Sequence, residues 1–138
     1  MTFFLIDDDQ VFHFITSKTL KKINPDIIVE KFLDGEEGIN RIKNSLHKQS
    51  ELPDIVLLDI NMPYLNGWGF LKEFQTIGDQ IEKEVQIYML TSSDDPEDLE
   101  KAKKFSELSG YIVKPVSKEE LEVLIRNFPS IEWFQPNL

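Results

Sequence analysis

Polar groups of three kinds stand where four short apolar runs stop. Phe3–Ile6 runs into Asp7-Asp8-Asp9, Ile55–Leu58 into Asp59, Val85–Leu90 into Thr91-Ser92, and Tyr111–Val113 into Lys114. Brought to one place, these residues would set several carboxylates beside a hydroxyl and an ammonium group. Crowded carboxylates raise one another's pKa values and resist ionising. A bound divalent cation removes that conflict, and an all-oxygen ligand set suits Mg²⁺ rather than zinc. A cation beside Asp59, with a hydroxyl and Lys114 across from it, would make a pocket for a phosphoryl group. Metal and ammonium would neutralise its equatorial oxygens, and the hydroxyl would donate a hydrogen bond. Each group also has a plain structural counterpart. Asp59 alone could mark a strand emerging into water, Thr91 a β-forming strand end, Lys114 a surface lysine and Asn61 a turn residue. Asp9 reads best as a helix N-cap. His13 and His47 read as exposed helix residues, because no second His or Cys stands at ligand spacing. Complementary chemistry on four successive site-forming strands favours the joint reading.

For these residues to meet, their runs must be parallel strands with carboxyl ends along one edge, where open α/β sheets hold ligands. The chain supplies that alternation. Gln10–Ile23 reads as a helix with Phe12, Ile15, Leu20 and Ile23 in one arc and Phe14 outside it; Asn24-Pro25 stops it. Ile27–Phe32 reads as a second strand, and Asp34-Gly35 turns into a helix bearing Ile39, Ile42 and Leu46. Gly38 lies within that helix, where Gly costs about 1 kcal/mol relative to Ala. Asn44–Glu51 reads as a frayed end and loop. Ile55–Leu58, unbroken and bounded by Pro53, reads as a strand buried on both faces. Met62-Pro63 and Asn66-Gly67 punctuate a loop before a helix carrying Phe70, Leu71, Phe74 and Ile77. Asp95-Pro96 starts a fourth helix running to about Ser106, with only Leu99, Ala102 and Phe105 to anchor it. Ser117-x-x-Glu120 is a capping box opening a fifth, with Leu121, Leu124, Ile125 and Phe128 on one face. Ile131, Trp133 and Phe134 in the tail, Pro129–Leu138, are expected to pack back on the domain. Five strands alternating with five helices predict an α/β fold with a parallel, two-faced sheet.

A chain of 138 residues, 41% hydrophobic and 29% charged, suits one domain with a sizeable core. The absence of cysteine excludes a disulfide scaffold, a thiolate zinc site and a thiol nucleophile. No apolar stretch approaches a membrane span, and MTFFLIDDD lacks the basic region and cleavage site of a signal peptide, so a cytoplasmic location without membrane contact is expected. The formal net charge of −10 opposes direct binding to nucleic acid.

Taken with their order and separations, LIDDD (5–9), IVLLDINMPYLNG (55–67), YMLTSSD (88–94) and GYIVKP (110–115) resemble the receiver domains of two-component response regulators, from near residue 3 to near residue 128. The resemblance implies a flavodoxin-like, doubly wound five-stranded sheet of order 2-1-3-4-5, an order for which such receivers are a standing example. It implies a receiver over residues 1–128 and a tail over 129–138. Asp59 would be the phosphoryl acceptor, attacking a phosphohistidine to form an acyl phosphate. Asp8 would bind Mg²⁺ directly, Asp7 through water, and Asn61 by its backbone carbonyl. Thr91 would bond a phosphoryl oxygen, Lys114 would pair with the phosphoryl group, and the Lys114–Pro115 bond would be cis. Tyr111 matches the switch aromatic, which swings inward as Thr91 moves. Gly38 stands where Ala is usual, Asn44–Pro53 is longer than in minimal receivers, the tail is extra, and Ser93 occupies a position that influences acyl-phosphate lifetime.

The expected function is therefore that of a freestanding receiver that catalyses only its own phosphorylation and dephosphorylation. Its partners would be a sensor histidine kinase or phosphotransfer protein and, through helix four, strand five and helix five, a downstream protein or a second copy. A Mg²⁺-dependent phosphohydrolase with Asp59 as nucleophile is disfavoured, because Asn61 replaces the second acid such enzymes keep. A phosphorylation-independent adaptor is disfavoured by the complete set of Asp7, Asp8, Asp59, Thr91 and Lys114.

Overall fold

A computed structural model of the chain describes residues 1–92, 95–129 and 133–134. Ten elements alternate strictly: β1 (Thr2–Ile6), α1 (Gln10–Ile23), β2 (Ile28–Phe32), α2 (Gly35–Lys43), β3 (Ile55–Asp59), α3 (Gly67–Ile77), β4 (Gln86–Thr91), α4 (Pro96–Lys103), β5 (Leu108–Val113) and α5 (Lys118–Asn127). All strand pairs are parallel, in the order β2-β1-β3-β4-β5. The sheet is buried because side chains alternate between its faces. Phe4, Ile6, Val56, Leu58, Ile87, Met89 and Tyr111 pack with residues of α2, α3 and α4, such as Ile39, Phe70 and Ala102. Phe3, Leu5, Ile55, Leu57, Tyr88, Leu90 and Ile112 pack on the other side with Phe12 and Leu20 of α1 and Leu121 and Leu124 of α5. Every residue of β3 is buried, as its unbroken apolar run predicts. Among the described residues no helix is long and apolar enough to cross a membrane.

Helix starts follow local chemistry. Asp9 caps α1, its carboxylate accepting from Val11 N–H and Phe12 N–H, and Asp34, Asn66 and Asp95 cap α2, α3 and α4. Ser117 and Glu120 form the expected capping box of α5. Gly38 lies where a Cβ would stand 2.5 Å from Ile6 Cδ1, so its lost helix propensity is offset by close seating of α2 on β1.

Four expectations need correction. The buried stripe of α1 is Phe12, His13, Thr16 and Leu20, while Ile15 is 56% exposed; the helix is rotated so that His13 faces the ends of β1 and β2. Neither Asn44 nor its successors form a frayed end. Ser45 is buried with its hydroxyl donating to Arg41 O, and Gln49 bonds Leu46 O, Gln80 O and Glu82 N–H, tying this segment to the loop before β4. α4 stops at Lys103, with Ala102 its one buried residue among those described. β5 begins at Leu108, three residues before Tyr111.

The tail explains that last difference. Phe134 forms a parallel bridge with Gly110, donating to Ser109 O (2.9 Å) and accepting from Tyr111 N–H (3.0 Å). Its ring meets Tyr88 edge-on, and Trp133 packs against the α3/α4 side of the core. Trp133 and Phe134 therefore pack back on the domain, as expected; Ile131 lies outside the described residues, as does Ser93. A Cβ on Gly110 would stand 2.3 Å from Phe134 O, so only glycine admits the tail this closely. Gly110→Ala should release Phe134 and leave the Tyr111 amide unprotected while the other strands keep their protection, as read by residue-resolved hydrogen exchange.

Candidate functional site

The carboxyl edge of the sheet gathers the residues singled out by their chemistry. Asp7 and Asp8 follow β1, Asp59 ends β3, Thr91 ends β4 and Lys114 follows β5. Carboxylate oxygens of Asp7, Asp8 and Asp59 all lie within 4.8 Å of one another. Lys114 Nζ is 2.5 Å from Asp7 Oδ2 and 3.5 Å from Asp59 Oδ1, and it also stands 5.0 Å from the centre of the Phe12 ring. Asp7 is fully buried, Asp59 nearly so, and Asp8 is exposed. Asp9, spent on capping α1, donates its N–H to Asp7 Oδ1 (2.9 Å) and so helps to orient that carboxylate.

Loop contacts fix where these groups sit. Ile60 N–H donates to Leu90 O (3.2 Å) and Gly67 N–H donates to Ile60 O (2.8 Å), so the residue after Asp59 is tied to β4 and to the start of α3. A Cβ on Gly67 would stand 2.6 Å from Asp59 O, so the helix reaches the strand end only because position 67 is glycine. Asn61, next along this loop, is exposed. Thr91 is buried, pairs with Val113, and accepts the Lys114 N–H through its carbonyl (2.7 Å). The Lys114–Pro115 bond is cis, as the resemblance implies. Tyr111 is buried in the core, opposite Met89 and three residues before Lys114. Asp7, Asp8, Asp59 and Lys114 thus meet directly, Thr91 shares their edge, and Tyr111 lies behind it.

The charges do not balance. Burial and then Asp7 push the Asp59 carboxyl up to about 6, against the opposing pull of Lys114, with Asp8 raising it further. Burial pushes the Lys114 ammonium down, but its hydrogen bond and charge contact with Asp7, reinforced by Asp59, outweigh that and hold it above its usual value. An all-oxygen donor set with excess negative charge fits a hard divalent cation. Asp7, Asp8 and Asp59 are the residues that could hold it.

One neighbour of the site was misplaced by sequence reasoning. His13 is buried, and its Nε2 lies 2.6 Å from Asp7 O and 3.1 Å from Phe32 O. The expectation that it is an exposed helix residue is wrong, because α1 turns positions 12, 13, 16 and 20 inward. The spacing of Phe12, Thr16 and Leu20 was the available signal.

Comparison with known proteins gives one consistent result. The family model described as the response regulator receiver domain matches residues 3–126. A probable transcriptional regulator, ycf27, of Porphyridium aerugineum is 35% identical over 123 residues, covering 89% of this chain and 45% of that protein. The probable C4-dicarboxylate response regulator DctR of Halalkalibacterium halodurans is 28% identical, covering 90% and 49%. The chain thus spans less than half the length of these curated relatives. Among solved structures, a two-component response regulator from Cytophaga hutchinsonii superposes with a TM-score of 0.80 at 28% identity, covering 91% of this chain and 94% of that one. Chemotaxis protein CheY4 of Vibrio cholerae does so with 0.73 at 27%, covering 91% and 96%.

The raised Asp59 carboxyl has a consequence for stability. Between about pH 4 and 6 the folded chain holds a proton on Asp59 that the unfolded chain has lost, so this group's contribution falls as pH rises through that window. Asp59→Asn should therefore be more stable than the parent in metal-free buffer, with a gap that opens between about pH 4 and 6 and stays at its full size, on the order of 2 kcal/mol, at higher pH. Urea melts at pH 5 and pH 8 measure it.

Proposed function

The chain belongs to the response regulator receiver family, and from that membership we propose that it accepts a phosphoryl group on Asp59 from a phosphohistidine and signals by changing its protein contacts. The observation that carries the reading is the meeting of Asp7, Asp8, Asp59 and Lys114 at the carboxyl edge of the sheet. Asp8 and Asp59 would hold Mg²⁺ directly, Asp7 through water and Asn61 by its carbonyl, and the bound ion would supply positive charge against the phosphoryl oxygens. An Asp59 carboxylate oxygen attacks phosphorus. As that bond forms, the bond from phosphorus to the donor imidazole breaks, and its electron pair stays on the nitrogen, which takes up a proton. Lys114 shifts its ammonium from Asp59 towards the new phosphoryl oxygens, and the Thr91 hydroxyl donates to one of them. Thr91 and Tyr111, on adjacent strands, carry the change into the core.

The phosphoryl donor is a sensor histidine kinase or a phosphotransfer protein. Exposed Val11 and Ile15 on α1 border a cavity of about 350 Å³ that reaches Lys114, and with exposed Phe14 on the same helix they give such a protein an apolar surface near Asp59. The receiver spans residues 1–128, followed by the tail 129–138. Output runs through α4, β5 and α5 to a downstream protein or a second copy. α4 supports this because its burial is least secure and it lies between the Thr91 loop and β5. The net charge of −10 favours a protein target over nucleic acid, in a cytoplasmic setting without membrane contact.

Acetyl phosphate with Mg²⁺ should label Asp59 alone, as mapped by intact mass and peptide analysis. Labelling of Asp59→Asn, or labelling in excess EDTA, would exclude this site. With a beryllofluoride phosphoryl mimic, hydrogen exchange should change across residues 95–128, and Thr91→Ala should blunt that response. Changes confined to α1 and α2 would instead place output on the opposite side.

A further inference from the structure

We infer that His13 is a positioning residue for the acidic site: its Nε2–H holds the Asp7–Asp8 peptide and thereby aims the Asp8 carboxylate. The inference rests on the proposed role of Asp8 as a cation ligand. Carbonyl oxygens only accept, so an Nε2 lying 2.6 Å from Asp7 O and 3.1 Å from Phe32 O is the protonated nitrogen. Phe32 O already takes the Asp7 N–H (3.0 Å), the bond with which the β1–β2 ladder ends. Asp7 O lies one step beyond that ladder, and His13 supplies a donor there at the point where strand gives way to the acidic loop.

The rest of Asp7 is held as well. Its Oδ1 accepts from Asp9 N–H, and its Oδ2 meets Lys114. Asp8 differs, because its side chain is exposed and its direction follows from the backbone that carries it. Since a peptide unit is planar, fixing Asp7 O also fixes the orientation of Asp8 N–H and the path to its Cα. His13 sits on α1, which Asp9 starts, so the helix that begins at the acidic loop also clamps it from behind. A residue that merely filled space here would be apolar. An imidazole buried to 4% exposure with its N–H on two carbonyls is selected for that donor.

Side-chain length gives a sharp test. Gln places an N–H₂ near the position of His Nε2, whereas Asn reaches only as far as Nδ1. In the full chain, Mg²⁺ binding measured by calorimetry should be about tenfold weaker in His13→Asn and near the parent value in His13→Gln, at matched melting temperatures. In EDTA, the Asp7 and Asp9 amides should exchange faster in His13→Asn alone. If Asn at this position prevents folding, His13→Met, which keeps the volume and drops the donor, is judged by the same criterion. Asp8→Asn is the control. Parental Mg²⁺ affinity in His13→Asn, with affinity lost in Asp8→Asn, overturns the positioning role only. Parental affinity in Asp8→Asn overturns the site reading on which that role rests.

Discussion

The ion pair between Lys114 and Asp7 bridges the end of β5 and the end of β1, passing over the end of β3 where Asp59 sits. A fully buried carboxylate such as Asp7 is tolerated only with a charged partner and hydrogen bonds, and it has both. One ammonium cannot satisfy three neighbouring acids. Asp7 takes the shorter contact, and Asp59, buried and facing the Asp7 charge, is left with a raised affinity for a proton that Lys114 only partly offsets. The same shortfall gives the edge its affinity for further positive charge. Chemistry at the site and strain in its electrostatics are one property seen twice.

That arrangement depends on the sheet being parallel and buried on both faces. Antiparallel strands would send alternate ends to opposite edges, and Asp7, Asp59, Thr91 and Lys114 would never meet. Two apolar layers hold the strands in register, so the polar groups at their ends stand on rigid supports rather than on loops. The glycine at position 67 serves the same end by letting α3 close against Asp59 without a clash.

Much of this was legible because each functional residue ends a strand whose apolar run is short and clear. β3 shows it best: Ile55–Leu58 has no polar residue until Asp59. The features that escaped depend on contacts between distant parts of the chain. Ser109 and Gly110 carry no strand signal, and they join β5 beside Phe134 of the tail. Asn44–Glu51 is polar apart from Leu46, yet Gln49 anchors it to residues 80 and 82. His13 was hidden because an amphipathic helix with apolar residues on several sides permits more than one buried face. The exposure of Val11, Phe14 and Ile15 shows that hydrophobicity did not decide which face of α1 turned inward.

The bridge between Phe134 and β5 changes the thermodynamic standing of that edge. A strand edge with free N–H and carbonyl groups accepts any extended segment that approaches. Here Ser109 and Tyr111 already bond to a segment of the same molecule, joined to α5 by a short stretch of chain. A tethered ligand of this kind acts at an effective concentration on the order of millimolar. Any binder that adds a strand at β5 must outcompete it, and its apparent affinity is its intrinsic affinity scaled by the fraction of molecules whose edge is open.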